Sequence, residues 1–362
     1  MKTITCFICA MSSGGAEHQM VSLLDQLLGK GYNVELVTFG DIPDHYDVNK
    51  SVKRFKIAEG KSKIIKLLSI FSFFIGHKTD CVISFGQREN LFCLIPLIFR
   101  RKIVAIAGER NFTVGKPSVI EKLLFTVFYK RANYIVPNSY SQKDYILSKC
   151  PEYKNKLRVI TNYTDLATFK YAPIKDNSIT RIGIFCRYAP QKNYNNFARA
   201  IKKLKEMGCH DFVFSWFGNK LSKGEENPYY REFQNVIQDY QIDDCIELND
   251  HISNVAQKME ELDAICVPSL HEGWCNTISE AICCGRPVLA SDVSDNSRMV
   301  SDGINGFLFN PKDSDEMARA FSKFLSLSVS EKSKMGEMSR SKAEQLFNNQ
   351  SFIDGYVSLI EG

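Results

Sequence analysis

Two glutamates, Glu272 and Glu280, are separated by seven residues in the segment LHEGWCNTISEAICCGRPVLAS. An ionised carboxylate accepts hydrogen bonds and donates none, so this pair suits a ligand with several hydroxyl donors, such as a sugar. A predicted helix, Thr277–Cys284, starts between them, and its free N–H groups could meet a negative part of the same ligand. Alternatively, Glu272 is an exposed acid, and Glu280, in the first helical turn, completes a capping box with Thr277. The residues alone leave both interpretations open.

An arginine and a lysine follow a predicted strand in the segment FCRYAPQKN. Arg187 comes directly after the strand, and Lys192 lies five residues later, just before a predicted helix. A guanidinium and an ammonium at the end of a strand could neutralise a diphosphate. Two solvated surface cations are the alternative, because most Lys and Arg side chains are exposed.

A pair of glycines follows the first predicted strand in the segment SSGGAEHQ. Gly14 and Gly15 allow a ligand to approach the backbone closely, and the helix that follows offers free N–H groups, which suits a phosphate. The segment is neither the dinucleotide fingerprint G-x-G-x-x-G nor a P-loop, which ends in Lys-Ser or Lys-Thr. A plain tight turn remains the alternative.

Short apolar runs alternate with longer amphipathic ones in both halves of the chain, as in βαβ units with parallel sheets. In the first half, a helix is predicted at Ala16–Leu28, and strands are predicted at Ile4–Ala10, Asn33–Phe39, Cys81–Ser84, Lys102–Ala107 and Tyr134–Pro137. After the polar stretch YAPIKDNS, a helix is predicted at Tyr194–Met207, and strands are predicted at Arg181–Cys186, Phe212–Phe217, Cys245–Leu248, Ala264–Val267 and Val288–Ala290.

The alternation predicts an α/β fold with two Rossmann-like domains that face a central cleft. We expect an N-terminal domain at residues 1–168, a second domain at 169–345, and a C-terminal helix at 346–362 that crosses back to the first domain. Open α/β sheets bind ligands at the carboxyl ends of their strands. The fold therefore predicts that the glycine pair, the two cations and the two glutamates lie beside one cleft.

The bulk composition is that of an ordinary protein without a spanning segment: 362 residues, 24% of them charged, with a net charge of +5. Many of the 12 cysteines lie in apolar runs, which indicates reduced thiols in a cytoplasmic protein. The N-terminal stretch MKTITCFICAM is interpreted as a strand, since its apolar run is short for a signal peptide. Asp313-Ser314-Asp315 matches a metal-binding Asp-x-Asp string, but a helix cap explains it better, so no metal site is predicted.

Residues 50–102 are strongly basic, with twelve Lys and Arg against three Asp and Glu, a local net charge of +9. Within this segment, Lys63–Lys78 reads KIIKLLSIFSFFIGHK, which is amphipathic and rich in large apolar side chains. Basic faces with apolar anchors favour an anionic membrane surface. A core helix with a solvated basic face is the alternative. Without a zinc-finger or RNA-binding signature, we expect no nucleic-acid partner.

Taken together, the motifs resemble those of the retaining glycosyltransferase family 4, whose members have the two-domain GT-B fold. The resemblance is carried, in this order, by SSGGAEHQMV, CRYAPQKNY, PSLHEGWCNTISEAICCGRPVLAS and SDGINGFLF, and it covers nearly the whole chain. One departure is the segment TNYTDLATF, which lacks the glycine of the Asn-Gly-Val-Asp string usual in the family.

The resemblance implies a role for each motif. Arg187 and Lys192 are expected on the diphosphate, and with Glu272 they are the expected catalytic residues. Glu280 is expected on the ribose. The expected donor-binding residues are Gly14, Gly15, Arg187, Lys192, Glu272, Gly273, Trp274, Cys275, Asn276, Thr277 and Glu280. The expected acceptor-side residues are His18, Glu109, Arg110 and Asn111.

The activity that the resemblance implies is a retaining, metal-independent hexosyl- or N-acetylhexosaminyltransferase without a cofactor. Its donor would be a nucleoside-diphosphate sugar, with UDP expected, and its acceptor a glycan hydroxyl, lipid-linked as in cell-surface polysaccharide assembly. The expected location is the cytoplasm, with peripheral contact to the inner face of the membrane. A sugar-nucleotide epimerase of the same fold and a non-enzymatic carbohydrate-binding subunit remain alternatives, whereas the missing dinucleotide fingerprint argues against an NAD-dependent oxidoreductase.

Overall fold

The protein is described from a computed structural model, which covers residues 1–12, 14–110, 117–222, 224–347 and 349–362. The chain divides into two compact units: Met1–Tyr163 with Asn349–Gly362, and Thr164–Asn348. Each unit is built on a six-stranded sheet in which every pair of neighbouring strands is parallel. The predicted α/β class, with two parallel sheets, is confirmed.

The sheet of the first unit has the strand order β3-β2-β1-β4-β5-β6. Its strands are β1 (Thr3–Phe7), β2 (Asn33–Thr38), β3 (Lys53–Lys56), β4 (Cys81–Phe85), β5 (Val104–Glu109) and β6 (Tyr134–Pro137). The helices between them are α1 (Gly15–Gly29), α2 (Lys63–Gly76), α3 (Gln87–Leu97), α4 (Val119–Thr126) and α5 (Tyr140–Lys149). The central strand β1 is nearly fully buried, because β2 and β4 pair with its two edges and helices cover the faces of the parallel sheet.

The sheet of the second unit has the strand order β11-β8-β7-β12-β13-β14. Its strands are β7 (Thr180–Phe185), β8 (Phe212–Phe217), β11 (Ile246–Asn249), β12 (Ala264–Val267), β13 (Val288–Ser291) and β14 (Gly306–Phe309), and the short strands β9 (Leu221–Ser222) and β10 (Glu225–Glu226) pair separately. The helices are α6 (Tyr194–Glu206), α7 (Pro228–Tyr240), α8 (Val255–Glu260), α9 (Asn276–Cys283), α10 (Asn296–Met299), α11 (Ser314–Leu325) and α12 (Val329–Leu346).

The last helix, α13 (Asn349–Glu361), packs in the first unit, where Phe352, Ile353 and Tyr356 join the apolar core beside β1 and α1. At the surface, Lys2 pairs with Glu361 at 2.8 Å. Apolar burial therefore holds this helix in place, and an exposed ion pair of this kind adds little.

Several local predictions are tested directly by these elements. The stretch MKTITCFICAM contains a strand, as predicted, but β1 spans Thr3–Phe7 and ends three residues before the predicted end at Ala10. Asp313 caps α11 by accepting hydrogen bonds from the N–H groups of Asp315 and Glu316, which confirms the cap interpretation of the Asp-x-Asp string. All 12 cysteines are free thiols. No helix in the described parts of the chain combines the length and the apolar character that crossing a bilayer requires.

Candidate functional site

The loops that follow β7 and β12 meet at one edge of the second sheet. The two strands are neighbours, with Ala264 opposite Ile182, and parallel strands end at the same edge. The backbone N–H of Leu270 donates to the carbonyl of Gln191 at 2.9 Å, and the Gln191 amide donates to the carbonyl of His271 at 2.9 Å. These bonds join the segment that carries Arg187 and Lys192 to the segment that carries Glu272.

Lys192 and Glu272 form an ion pair across the two loops. The distance between Lys192 Nζ and Glu272 Oε1 is 2.6 Å, and only 16% and 12% of the two side chains is exposed. Burial disfavours the ammonium charge, but the carboxylate of Glu272 outweighs this effect, and the pKa of Lys192 lies above its usual range. Lys192 is therefore a fixed positive charge at the end of the sheet.

The turn that presents Lys192 depends on Asn193, which the sequence motifs did not single out. Asn193 has a left-handed backbone (φ 63°), and asparagine tolerates this conformation better than most residues. Its side-chain amide donates to the carbonyls of Pro268 and Pro311 at 3.0 and 2.8 Å. An asparagine directly before a helix is the one sequence signal that could have indicated this role.

Arg187 is exposed and lies on the same loop as Lys192. Its guanidinium makes one long hydrogen bond, from Nη2 to Gln191 Oε1 at 3.4 Å. Gly273 is half-buried between Glu272 and the start of α9. The edge thus presents one loosely held guanidinium next to one tightly paired ammonium.

The predicted capping box at the start of α9 is wrong. The helix begins at Asn276, its N-cap is Cys275, and no side chain caps it, so Glu280 lies in the second turn. The hydroxyl of Thr277 donates instead to the carbonyl of Phe185 at 3.2 Å, which ties α9 to the end of β7. Because Thr277 is the second residue of the helix and not its N-cap, its hydroxyl is not in a position to complete the box.

Glu280 has different surroundings from Glu272. It is half-buried, and burial raises the pKa of its carboxyl to about 8. Glu280 is not part of a cap at the start of α9, so a capping role does not compete with ligand binding by this carboxyl.

Trp274 and Cys275 contribute backbone rather than side chains to this edge. Both side chains are buried in the core under α9. The Trp274 indole N–H donates to the hydroxyl of Ser279 at 3.0 Å, which fixes the ring. Any contact between a ligand and these two residues would thus use their main-chain groups.

In the first unit, Gly14 is the N-cap of α1 and has an extended backbone. The carboxylate of Glu17 folds over it, since a Cβ atom at Gly14 would collide with Glu17 Oε2 and Oε1 accepts a hydrogen bond from Ser12 at 2.7 Å. Gly15 is the exposed first residue of the helix. A phosphate at this helix end would therefore have to displace or share space with an acidic side chain that the motif analysis missed.

The acceptor-side candidates lie in different surroundings. His18 is half-buried near Tyr46, with 5.6 Å between ring centroids, and burial lowers the pKa of its imidazole. Glu109 is fully buried at the end of β5, where it accepts a hydrogen bond from Tyr129, and burial is the main cause that raises the pKa of its carboxyl to about 8. Asn111 lies outside the described residues.

Arg110 is a buried cation inside the first unit. Its guanidinium stacks 3.8 Å from the centroid of the Phe85 ring and donates to Asn162 at 3.3 Å and to the hydroxyl of Tyr356. These contacts favour a structural role that ties β5 to α13, and a role of Arg110 towards an acceptor stays a prediction. Within the described residues, no group of three or more His, Cys, Asp or Glu side chains could hold a metal ion.

The comparison with protein families identifies one domain. The model for "Glycosyl transferases group 1" matches residues 179–326, which include the Lys192–Glu272 pair and Glu280. A relative from Campylobacter jejuni, the "N-acetylgalactosamine-N,N'-diacetylbacillosaminyl-diphospho-undecaprenol 4-alpha-N-acetylgalactosaminyltransferase", is 22% identical over 322 residues, which is 82% of this chain and 83% of the relative.

Two solved structures show the same architecture over the full length. Sucrose-phosphate synthase from Thermosynechococcus elongatus matches with a TM-score of 0.83 at 15% identity, covering 100% of this chain and 98% of that one. Anabaena Alr3699/HepE in complex with UDP and glucose matches with a TM-score of 0.82 at 14% identity, covering 100% of both chains. The chain therefore has the GT-B fold of these structures, and its residues 179–326 match the group 1 glycosyltransferase model.

Proposed function

We propose that the protein moves a hexosyl or N-acetylhexosaminyl group from a UDP-sugar to a hydroxyl of a lipid-linked glycan, with retention of anomeric configuration. The observation that carries this proposal is the Lys192–Glu272 pair, at 2.6 Å, in which Lys192 lies on the same loop as the exposed Arg187. Two similar proteins support the lipid-linked acceptor and the UDP-sugar donor of this proposal. The Campylobacter relative is named for a diphospho-undecaprenol compound, and Anabaena Alr3699/HepE was crystallised with UDP and glucose.

In this proposal, these residues stabilise the diphosphate as it leaves the sugar. As the bond between the anomeric carbon and the diphosphate oxygen breaks, negative charge grows on that oxygen. Arg187 can bind phosphate oxygens with its planar fork, and Lys192 adds a compact positive charge that Glu272 keeps in position. The acceptor oxygen then bonds to the anomeric carbon, and its proton passes to the departing phosphate oxygen on the same face.

The two glutamates bind the donor in this proposal and neither attacks the sugar. Glu272 faces the hydroxyls of the transferred sugar, and Glu280 accepts hydrogen bonds from the ribose. Because two cationic side chains supply the positive charge, we propose that the reaction needs no metal ion and no cofactor. The acceptor, as a lipid-linked glycan of surface-polysaccharide assembly, would be met at the cytoplasmic side of a membrane.

A transfer assay with a panel of UDP-sugars and a lipid-linked acceptor tests the proposal. The expected product keeps the anomeric configuration of the donor, as read by NMR, and forms equally well in the presence of EDTA. An inverted product would contradict the same-face mechanism, and loss of activity with EDTA would contradict metal independence.

The same assay separates the alternatives. A sugar-nucleotide epimerase would convert the UDP-sugar without any acceptor. A non-enzymatic carbohydrate-binding subunit would show no turnover, so Lys192→Ala would have no activity to remove. Transfer that requires the acceptor and disappears in this variant would exclude both.

A further inference from the structure

Helix α2 is the most exposed apolar element of the first unit. Of its 14 residues only Ile70 and Phe74 are buried. The large apolar residues Ile64, Leu68, Phe71 and Ile75 are 71%, 65%, 39% and 37% exposed. Spacings of four, three and four residues put these side chains on one face of the helix. Helix α2 therefore packs on the core through Ile70 and Phe74, but its exposed side is largely apolar and not the solvated basic face of the alternative interpretation.

The exposed face continues beyond α2. Phe99, just past the end of α3, is 72% exposed, and its ring lies edge-on to that of Phe71 with 6.5 Å between centroids. Ile98 beside it is also exposed. We refer to the residues Ile64, Leu68, Phe71, Ile75, Ile98 and Phe99 together as the α2 surface.

Polar contacts on the inner side of α2 keep this surface turned outwards. Lys66 pairs with Asp41 at 2.5 Å near the start of the helix. At its end, Arg100 donates to the carbonyls of Phe74, at 3.2 Å, and His77. Both ends of α2 are thus tied to the rest of the unit, so the exposed face is a feature of the fold and not of a frayed segment.

The charges around the α2 surface indicate that its partner is an anionic membrane. Five exposed cations lie next to it in the chain: Lys61, Lys63, Lys78, Arg101 and Lys102. Apolar side chains next to Lys and Arg are typical of a surface that binds a bilayer. The apolar side chains enter the boundary of the acyl chains, and the Lys and Arg side chains contact anionic headgroups. A second copy of this chain would instead bring like charges together.

We propose that the α2 surface binds the face of an anionic phospholipid bilayer, with α2 lying in the plane of the interface. A helix of 14 residues is about 21 Å long, which suits this orientation. The proposal goes beyond sugar transfer, because it concerns where the protein sits and needs neither donor nor acceptor.

Vesicle flotation of the full-length protein, without any nucleotide, tests this inference. We expect binding to vesicles of equimolar phosphatidylcholine and phosphatidylglycerol, weaker binding to phosphatidylcholine alone, and a loss of binding as salt is raised. Ile64→Asn combined with Leu68→Asn should weaken the partition at least about tenfold, because two large apolar side chains no longer enter the lipid. Arg101→Gln combined with Lys102→Gln should weaken it about tenfold through lost headgroup attraction.

Met338→Gln and Lys334→Gln are matched controls, since both residues are exposed on α12 of the second unit. They should bind vesicles like the wild type, and all variants should keep its melting temperature because the changed side chains are exposed. No binding to either vesicle, or binding that neither double variant weakens, would overturn the proposal. So would a wild-type dimer in light scattering that Ile64→Asn with Leu68→Asn converts to a monomer, since a second copy would then cover the surface. A failure of vesicle binding leaves the transfer assay unaffected.

Discussion

At the residue scale, the two glutamates that share one sequence motif have opposite surroundings. Glu272 is held by Lys192 at 2.6 Å, whereas burial alone governs the carboxyl of Glu280 and raises its pKa to about 8. The first arrangement fixes an ammonium on the same loop as the exposed Arg187, as the proposed diphosphate site requires. The second leaves an acceptor group that gains hydrogen bonds when hydroxyl donors arrive.

Lys192→Ala should remove the fixed positive charge and leave Glu272 without its partner. We expect kcat/KM for sugar transfer to fall by about 10²–10³, the size of effect seen when one charge-stabilising group is removed from a site. The measurement is steady-state kinetics at saturating acceptor, with Lys334→Ala on α12 as the exposed-lysine control. A Lys192→Ala enzyme with wild-type kcat/KM would contradict the assignment.

Glu280 predicts a pH dependence of UDP binding. Its pKa of about 8 means that the carboxyl of the free protein is mostly protonated at pH 7. Ribose hydroxyls that donate to the ionised form lower this pKa, so binding should release a proton, and affinity should rise with pH until about pH 8 and then level off.

Isothermal titration in buffers of different ionisation enthalpy measures that proton release directly. Glu280→Gln should bind UDP more weakly and should lose the buffer dependence. Identical proton release in the wild type and in Glu280→Gln would mean that another group is responsible.

At the scale of elements, the turn between β7 and α6 depends on one residue in a left-handed conformation. Asn193 has φ 63° and donates two buried hydrogen bonds. Its replacement can therefore destabilise the protein in two separate ways, by loss of the bonds and by backbone strain. Asn193→Ala loses the bonds and strains the backbone, whereas Asn193→Gly loses the bonds only.

We therefore expect Asn193→Ala to destabilise the protein by about 1–2 kcal/mol more than Asn193→Gly, from the cost of the left-handed backbone. Urea unfolding of the two variants measures the difference. Equal midpoints would show that the turn rearranges when the side chain is removed.

The elements also show what a single sequence can predict. Buried strands such as β8 and β12 were predicted with their observed bounds, because a continuous apolar run is a strong signal. Strand β3, with the sequence KRFK, was missed since it lies at the exposed edge of its sheet and has only one large apolar residue. The capping box failed for a different reason, because α9 begins at Asn276, so Thr277 lies inside the helix and its hydroxyl donates to the carbonyl of Phe185.

In the candidate site, too, the sequence did not reveal contacts between distant segments. Arg187, Lys192, Glu272 and Glu280 were singled out by residue type and spacing, and their expected roles came from the resemblance to a known family. Gln191 and Asn193, which join the two loops by bonds to the carbonyls of His271 and Pro268, gave no comparable signal. Their function depends on contacts between distant segments, which periodicity and motifs do not reveal.

At the scale of the whole molecule, the end of the chain completes the core of the unit that contains its beginning. Tyr356 on α13 is buried, and its hydroxyl accepts a hydrogen bond from Arg110, a buried cation. Removing this acceptor leaves the guanidinium with one partner fewer in a place that water does not reach.

Tyr356→Phe should therefore lower the free energy of unfolding by about 1–3 kcal/mol. Tyr32→Phe is the matched control, since that hydroxyl donates to Glu361 of the same helix at 2.7 Å but lies at the surface. The free energy of unfolding should fall clearly less in Tyr32→Phe than in Tyr356→Phe. Equal shifts in the unfolding midpoint would contradict the structural role of Arg110.

The central claim is that the second unit binds a nucleoside diphosphate through Arg187, Lys192 and Glu280. A thermal-shift panel of UDP, GDP and ADP tests it most directly, because a ligand at about 100 times its Kd stabilises the folded state by about 2.7 kcal/mol. We predict that UDP raises the Tm of the wild type by several degrees and that Arg187→Ala reduces this shift. If none of the three nucleotides raises the Tm, the claim is contradicted.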